Sequence, residues 1–203
     1  MHQPMSEIQH RIETVAAGAL QPHLGAVARL RAIVFRDWPY LYQAAEGYEA
    51  GYLRSYAESP GAAVILALAG NEPVGAATCQ PMAEAGRAVL EAAAKAGMDP
   101  ATTCYFGESV LLPEWRGRGI GVAFFAAREA HARTLGLRRA AFCAVRRDPA
   151  DSRRPASHEP LDAFWRKRGY APVPGMAAHM VWREVGSGAE IPHILDFWAK
   201  DLS

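Results

Sequence analysis

The strand-like run Cys104-Tyr-Phe-Gly-Glu-Ser-Val-Leu-Leu112 breaks at Pro113-Glu114-Trp115 and enters Arg116-Gly117-Arg118-Gly119-Ile120-Gly121. A helical pattern then runs to Leu135 and stops at Gly136. No other stretch narrows the fold as much, because a strand feeding a glycine-alternating turn that opens a helix is a unit of a mixed α/β chain. The N–H groups of a helix's first turn lack intrahelical partners and carry about half a positive charge. Glycine at 117, 119 and 121 removes the side chains that would keep an anion away from them. Arg116 and Arg118 add charge-assisted hydrogen bonds. A pyrophosphate fits such a turn; the alternative is a glycine turn built for tight packing. A dinucleotide turn wants Gly at the sixth position counted from Gly117, where Val122 stands, and the Gly-Lys-Ser/Thr of a P-loop is absent.

The remaining pattern places further elements around this unit. Ile8, Ile12 and Val15 alternate as a short strand, and Leu24, Val27, Leu30, Arg31 and Val34 follow a helical period that Pro39 stops. A second helix is expected over Tyr48–Glu58. Ala63–Ala69 and Val74–Cys79 flank Gly70-Asn71-Glu72-Pro73 as a hairpin. Pro81–Gly97 is alanine-rich and helix-favouring, with Gly97 as its stop. Glu129 and Arg133 are expected to pair on the outer side of the central helix. Arg139–Val145 reads as a strand, 146–160 as a Pro- and charge-rich loop, Leu161–Arg168 as a short helix, and Met176–Val185 as a late strand. Ile191–Leu202, with Ile194, Leu195, Phe197 and Trp198, reads as a closing amphipathic helix.

Composition excludes several classes. The 203 residues carry a net charge of +1, yet Arg133–Arg168 holds ten basic against four acidic residues. Such a segment suits an anionic ligand or a solvated arginine surface. Nucleic acid is a poor fit, since overall charge is near zero and no aromatic–basic reading motif appears. No apolar run is long enough to span a membrane, and the polar start of the chain has no signal-peptide core. Cys79, Cys104 and Cys143 are far apart and odd in number, which points to reduced thiols, a cytoplasmic setting and no metal site.

The run Val110-Leu-Leu-Pro-Glu-Trp-Arg-Gly-Arg-Gly-Ile-Gly121 resembles motif A of the GCN5-related N-acetyltransferase (GNAT) superfamily, and Phe164-Trp-Arg-Lys-Arg-Gly-Tyr170 resembles its motif B. The element order also parallels that family over about residues 5–185. The resemblance implies a single α/β (α+β) domain over 1–203. Its mostly antiparallel sheet would have splayed middle strands and flanking helices, with extra helices at about 81–97 and 190–202. It also implies acetyl-CoA as co-substrate, no metal, and direct acetyl transfer to a primary amine of a small molecule or peptide. A catalytically silent CoA-binding module on the same fold is the alternative, and the aromatic C-terminal helix would serve a homodimer as readily as it would cap the core.

Residue by residue, the resemblance assigns the backbone of Ser109, Val110, Leu111 and Leu112 to the pantetheine arm. It gives the N–H groups of Arg116, Gly117, Arg118, Gly119, Ile120 and Gly121 to the pyrophosphate. An N–H near Val110 or Leu111 would stabilise the oxyanion. An amine with pKa near 10 must lose a proton at neutral pH, and Glu108 is the candidate base, with a structural or acceptor-binding carboxylate as the other reading. Where the family often carries an acidic Tyr, this chain has Trp165, expected against the pantetheine or the core. His158 or Tyr105 then stands in as acid, or the thiolate leaves unassisted. Trp38, Tyr40 and Tyr42 are candidates for the acceptor pocket or for core packing.

Overall fold

The computed structural model describes residues 9–44 and 48–202. Ala63–Ala69 (β2) and Glu72–Pro81 (β3) form the hairpin, turning on Gly70 at φ +60°. His10–Ala16 (β1) pairs antiparallel with β2. Ile8, the first residue of the expected strand, lies outside the described residues. Seven strands make one sheet in the order β1-β2-β3-β4-β5-β7-β6, with β4 Thr103–Leu111, β5 Arg139–Val145, β6 Ala171–Arg183 and β7 Glu190–Asp201. Every pairing is antiparallel except β4 with β5.

Period-two burial distributes side chains to two covered faces. Ala63, Ile65 and Ala67 face Ile120–Thr134 (α4), with Phe124, Phe125 and Ala132 in the same apolar cluster. Val64, Leu66 and Leu68 face the opposite way, toward Leu24–Val34 (α1) and Tyr48–Glu58 (α2). Farther along that second face Arg87–Ala96 (α3) packs on β6. The expected helix at 81–97 is thus confined to α3, because Pro81 still belongs to β3 and Met82–Glu84 forms a single 3₁₀ turn. Gly97 stops α3 at φ +68°, where the Met98 N–H reaches the Ala93 carbonyl, a left-handed cap that glycine adopts without steric strain.

Two expectations are corrected. The C-terminal segment is strand β7, not a helix: it inserts between β5 and β6, pairing Val145 with Leu195 and Arg183 with Glu190. Phe197 and Trp198 are both buried, one on each face of the sheet. A strand covered on both sides has a continuous apolar run that mimics a helical stripe. This also removes the aromatic helix offered as a dimer surface. The second correction concerns Glu129, which pairs with Arg133 at 3.7 Å but points inward. It accepts hydrogen bonds from the Tyr170 hydroxyl (3.1 Å) and from Lys200 Nζ (2.9 Å). The short helix is Asp162–Arg166 (α5), and among the described residues no helix is long and apolar enough to cross a membrane.

Candidate active site

The parallel pair β4–β5 is registered only from Thr103 with Arg139 to Tyr105 with Ala141. Beyond it β4 stays on β3 and β5 stays on β7, so the two strands part and open a cleft in the middle of the sheet. The α4 N-terminus follows directly from the β4 end of this cleft. Gly117 and Gly119 hold φ +76° and +79°, and a Cβ on either would point into open space. Among the described residues no acceptor meets the N–H groups of Gly117 to Gly121. Arg118 lies over the Trp115 ring at 4.7 Å, and Arg116 Nε reaches the Leu111 carbonyl at 3.3 Å. The turn is thus a positive concavity of peptide dipoles fit for a diphosphate.

Strand alternation decides which groups of β4 are free. Leu112 N–H donates to the Val74 carbonyl at 3.0 Å, so Leu112 and Val110 turn toward β3. Ser109 and Leu111 then turn their N–H and C=O into the cleft. Of the four residues expected to pair with a pantetheine, these two have backbone groups directed there. Of the two expected oxyanion donors, Leu111 N–H is so directed.

The register between β3 and β4 slips between Ala77 and Cys79, which places a bulge at Gly107–Glu108. The extra residue turns Glu108 to the face that also carries Tyr105 and Val110. Gly107 is required here, since a Cβ would sit 2.0 Å from the Tyr56 hydroxyl. Glu108 is buried; its Oε1 is ion-paired with buried Arg31 of α1, and its Oε2 accepts from the Thr78 hydroxyl at 2.6 Å. The Glu108 N–H donates to the same hydroxyl at 2.9 Å. Arg31 was legible only as a cation on the apolar stripe of α1, where burial demands a counter-charge.

Tyr105 donates toward or accepts from Cys143 Sγ at 3.4 Å, and burial raises its phenol well above the usual tyrosine range. Burial likewise pushes the Cys143 thiol up to about 12. Tyr40 packs on Phe35, with ring centroids 4.5 Å apart, and burial, then Cys143, raises its phenol. Its carbonyl accepts from Arg147 Nη2 (2.8 Å) and Trp182 Nε1 (3.1 Å). Arg147 and Arg153 both pair with buried Glu184, whose backbone bridges Tyr42. Burial pulls the Glu184 carboxyl up, but hydrogen bonds from Arg153 and Arg147 outweigh it and leave it below the ordinary carboxylate range. Leu41, at φ +52°, lies in the segment this latch holds. The structure therefore brings Trp38, Tyr40, Tyr42 and His158 together: His158 stands edge-on to Trp38 at 6.0 Å, and Arg147 lies over the Trp38 ring at 5.5 Å. Burial, then Arg154, lowers His158 below the usual imidazole range. Trp165 is half-buried against the core, edge-on to Phe142 and Trp198 at 5.1 Å each. Thr78, Glu184 and Arg128 had no marker in the sequence beyond polar residues inside apolar runs. Among the described residues no group of three or more His, Cys, Asp or Glu is placed to hold a metal ion.

Comparison with solved structures shows the same fold at low identity. An N-acetyltransferase from Staphylococcus aureus Mu50 is 14% identical, covering 96% of this chain and 99% of that chain, with a TM-score of 0.58. A ribosomal-protein-alanine N-acetyltransferase from Brucella melitensis is 15% identical over 94% and 99%, with a TM-score of 0.60. The protein yncA from Salmonella typhimurium, solved with its cofactor acetyl-CoA, is 13% identical over 96% and 94%, with a TM-score of 0.59. No curated protein matches the chain in sequence. The model of the acetyltransferase (GNAT) family matches residues 27–156, spanning the bulge, the splayed strands and the glycine turn, and the chain belongs to that family of acyltransferases.

Proposed function

We propose that the protein transfers acetyl from acetyl-CoA directly to a primary amine of a small molecule or peptide. The observation that carries this reading is the bulge that sets the buried Glu108 carboxylate beside the open edge of β4. Bound acetyl-CoA would supply the thioester carbonyl. The N–H groups of Gly117 to Gly121 would hold its diphosphate, and Ser109 and Leu111 its pantetheine arm. Leu111 N–H is the donor for the carbonyl oxygen as it gains charge. As the amine nitrogen bonds to the carbonyl carbon and the C–S bond breaks, Glu108 takes the proton released by nitrogen. The CoA thiolate leaves unassisted in this reading, because the buried Tyr105 hydroxyl is engaged with Cys143 Sγ and His158 stands against the Trp38 ring. The acceptor enters by Trp38 and Tyr40, where Trp38 Nε1 is buried without a partner among the described residues and is free to donate.

A second role for Glu108 is favoured by one observation, its ion pair with Arg31: a fixed carboxylate that binds the acceptor as an ammonium. CoA release measured over a panel of amines, amino acids, aminoglycosides and peptides tests the activity itself. Acetyl-CoA binding with no CoA release across the panel counts against it. Glu108→Gln separates the two roles, since loss of the base lowers kcat and loss of an ammonium site raises the amine KM with kcat retained.

A further inference from the structure

Arg128, in the middle of α4, is 1% exposed, and among the described residues no carboxylate lies within ion-pair distance of it. Burial disfavours its charge. Filling that space takes only a Met or Leu, and an unpaired buried cation is expensive. The compensation it does receive is specific. Its guanidinium lies over the Phe106 ring at 4.4 Å and the Phe125 ring at 4.9 Å. Its Nε donates to the Phe124 carbonyl of its own helix at 3.2 Å. Its Nη1 donates to two carbonyls of the sheet, Glu108 at 3.3 Å and Thr78 at 3.5 Å.

Those two carbonyls flank the register slip between β3 and β4. A bulge leaves ladder groups without their regular partners, and a buried polar group left unpaired is costly. Arg128 thus satisfies the bulge from the α4 side, while the Thr78 hydroxyl holds the Glu108 N–H and carboxylate from the other side. The Glu108 backbone is held between an arginine on one face of the sheet and a threonine on the other. Arg128 also lies two turns along the helix whose first turn forms the anion cradle.

We infer that Arg128 is a positioning residue for acetyl transfer. It fastens the Thr78–Glu108 bulge to α4, so the helix that receives the diphosphate also fixes where the Glu108 carboxylate stands. The inference rests on Glu108 acting as proposed above, and its test is arranged to fail separately. Arg128→Met, Arg128→Lys and Glu108→Gln are compared with the parent, using acetyl-CoA as the probe and the most active amine of the panel. Arg128→Met is expected to bind acetyl-CoA within about threefold of the parent and to lose about tenfold in kcat with little change in acetyl-CoA KM, with Arg128→Lys between the two. Amide exchange is expected to quicken about tenfold at Thr78 and Gly107–Ser109 and to stay unchanged in β2 and β5. Acetyl-CoA is expected to protect those bulge amides in the parent and not in Arg128→Met. Unchanged bulge exchange overturns the inference, as does kcat within about twofold of the parent when Glu108→Gln is impaired. Local loosening in Arg128→Met, with Glu108→Gln fully active, shows that the anchor stands and the base reading falls. Should Arg128→Met fail to fold, Arg128→Lys carries the same readouts: faster bulge exchange with lower kcat supports the inference, and parent-like values for both overturn it.

Discussion

The two ends of the cleft are built from different materials. At the end proposed for the diphosphate the open groups are main-chain N–H groups from one continuous segment, Gly117 to Gly121, and the side chains there stay out of the way. At the end proposed for the acceptor the groups are side chains gathered from distant segments: Arg31, Tyr40, Glu108, Arg147 and Glu184. Backbone recognition needs only local conformation, which glycine spacing encodes. Side-chain recognition needs tertiary contacts to hold each group, and here those contacts are little-exposed ion pairs at Glu108 and Glu184 and a ring contact and carbonyl hydrogen bonds at Tyr40. The first end is expected to resist side-chain truncation and to fail when its concavity is filled; the second is expected to fail when any one partner is withdrawn.

The largest effect is expected from Gly119→Glu, which puts a carboxylate where the diphosphate would sit and a side chain on a backbone at φ +79°. Acetyl-CoA binding by calorimetry is expected to fall by more than about a hundredfold. The strain itself is worth about 1–3 kcal/mol, seen as a lower melting temperature. Acetyl-CoA binding as tight as the parent's would refute the cradle.

Next comes the Arg31–Glu108 pair. Glu108→Gln withdraws the buried carboxylate charge that faces Arg31 and is expected to lower stability by up to about 3–5 kcal/mol in a urea melt, along with kcat. The double variant Arg31→Met/Glu108→Gln is expected to recover much of the stability but none of the turnover. Recovery of both would make the pair structural only.

The latch at Glu184 sets a pH dependence. Its folded pKa is depressed, so its contribution to stability is present above the unfolded value of 4.5 and lost as pH falls through the folded value. Burial, then Arg147, likewise depresses His193, whose contribution is present above 6.5 and fades as pH falls below it. Melting temperature is expected to drop modestly from about pH 7.5 to 5.5 and steeply below about pH 4.5. Glu184→Gln is expected to flatten the acid limb and to raise the amine KM while leaving acetyl-CoA binding alone. An acid limb that survives in Glu184→Gln assigns it to other carboxylates.

The smallest effect is reserved for Arg118→Ala. Its side chain stacks on Trp115 and the N–H groups of the turn remain, so acetyl-CoA affinity is expected to fall by less than about tenfold. A loss as large as that of Gly119→Glu would mean that the two ends of the cleft do not differ in kind.

Most of the architecture could be read from local pattern. The hairpin on Gly70, the glycine stops at 97 and 136, the α2 helix at Tyr48–Glu58 and the strand–turn–helix at 104–135 all express a conformational preference of a few adjacent residues. The C-terminal segment could not be read in this way. Its residues are apolar on both sides because β5 and β6 enclose it, and nothing within twelve residues reveals such neighbours. Tertiary structure also decided the face of Glu108, since the bulge that overturns strand parity arises from pairing with β3, more than twenty residues away. Glycines and prolines act through their own φ angles and are visible to a reader of one sequence. Counter-charges, sheet neighbours and register slips belong to pairs of residues, and only the folded chain brings those pairs together.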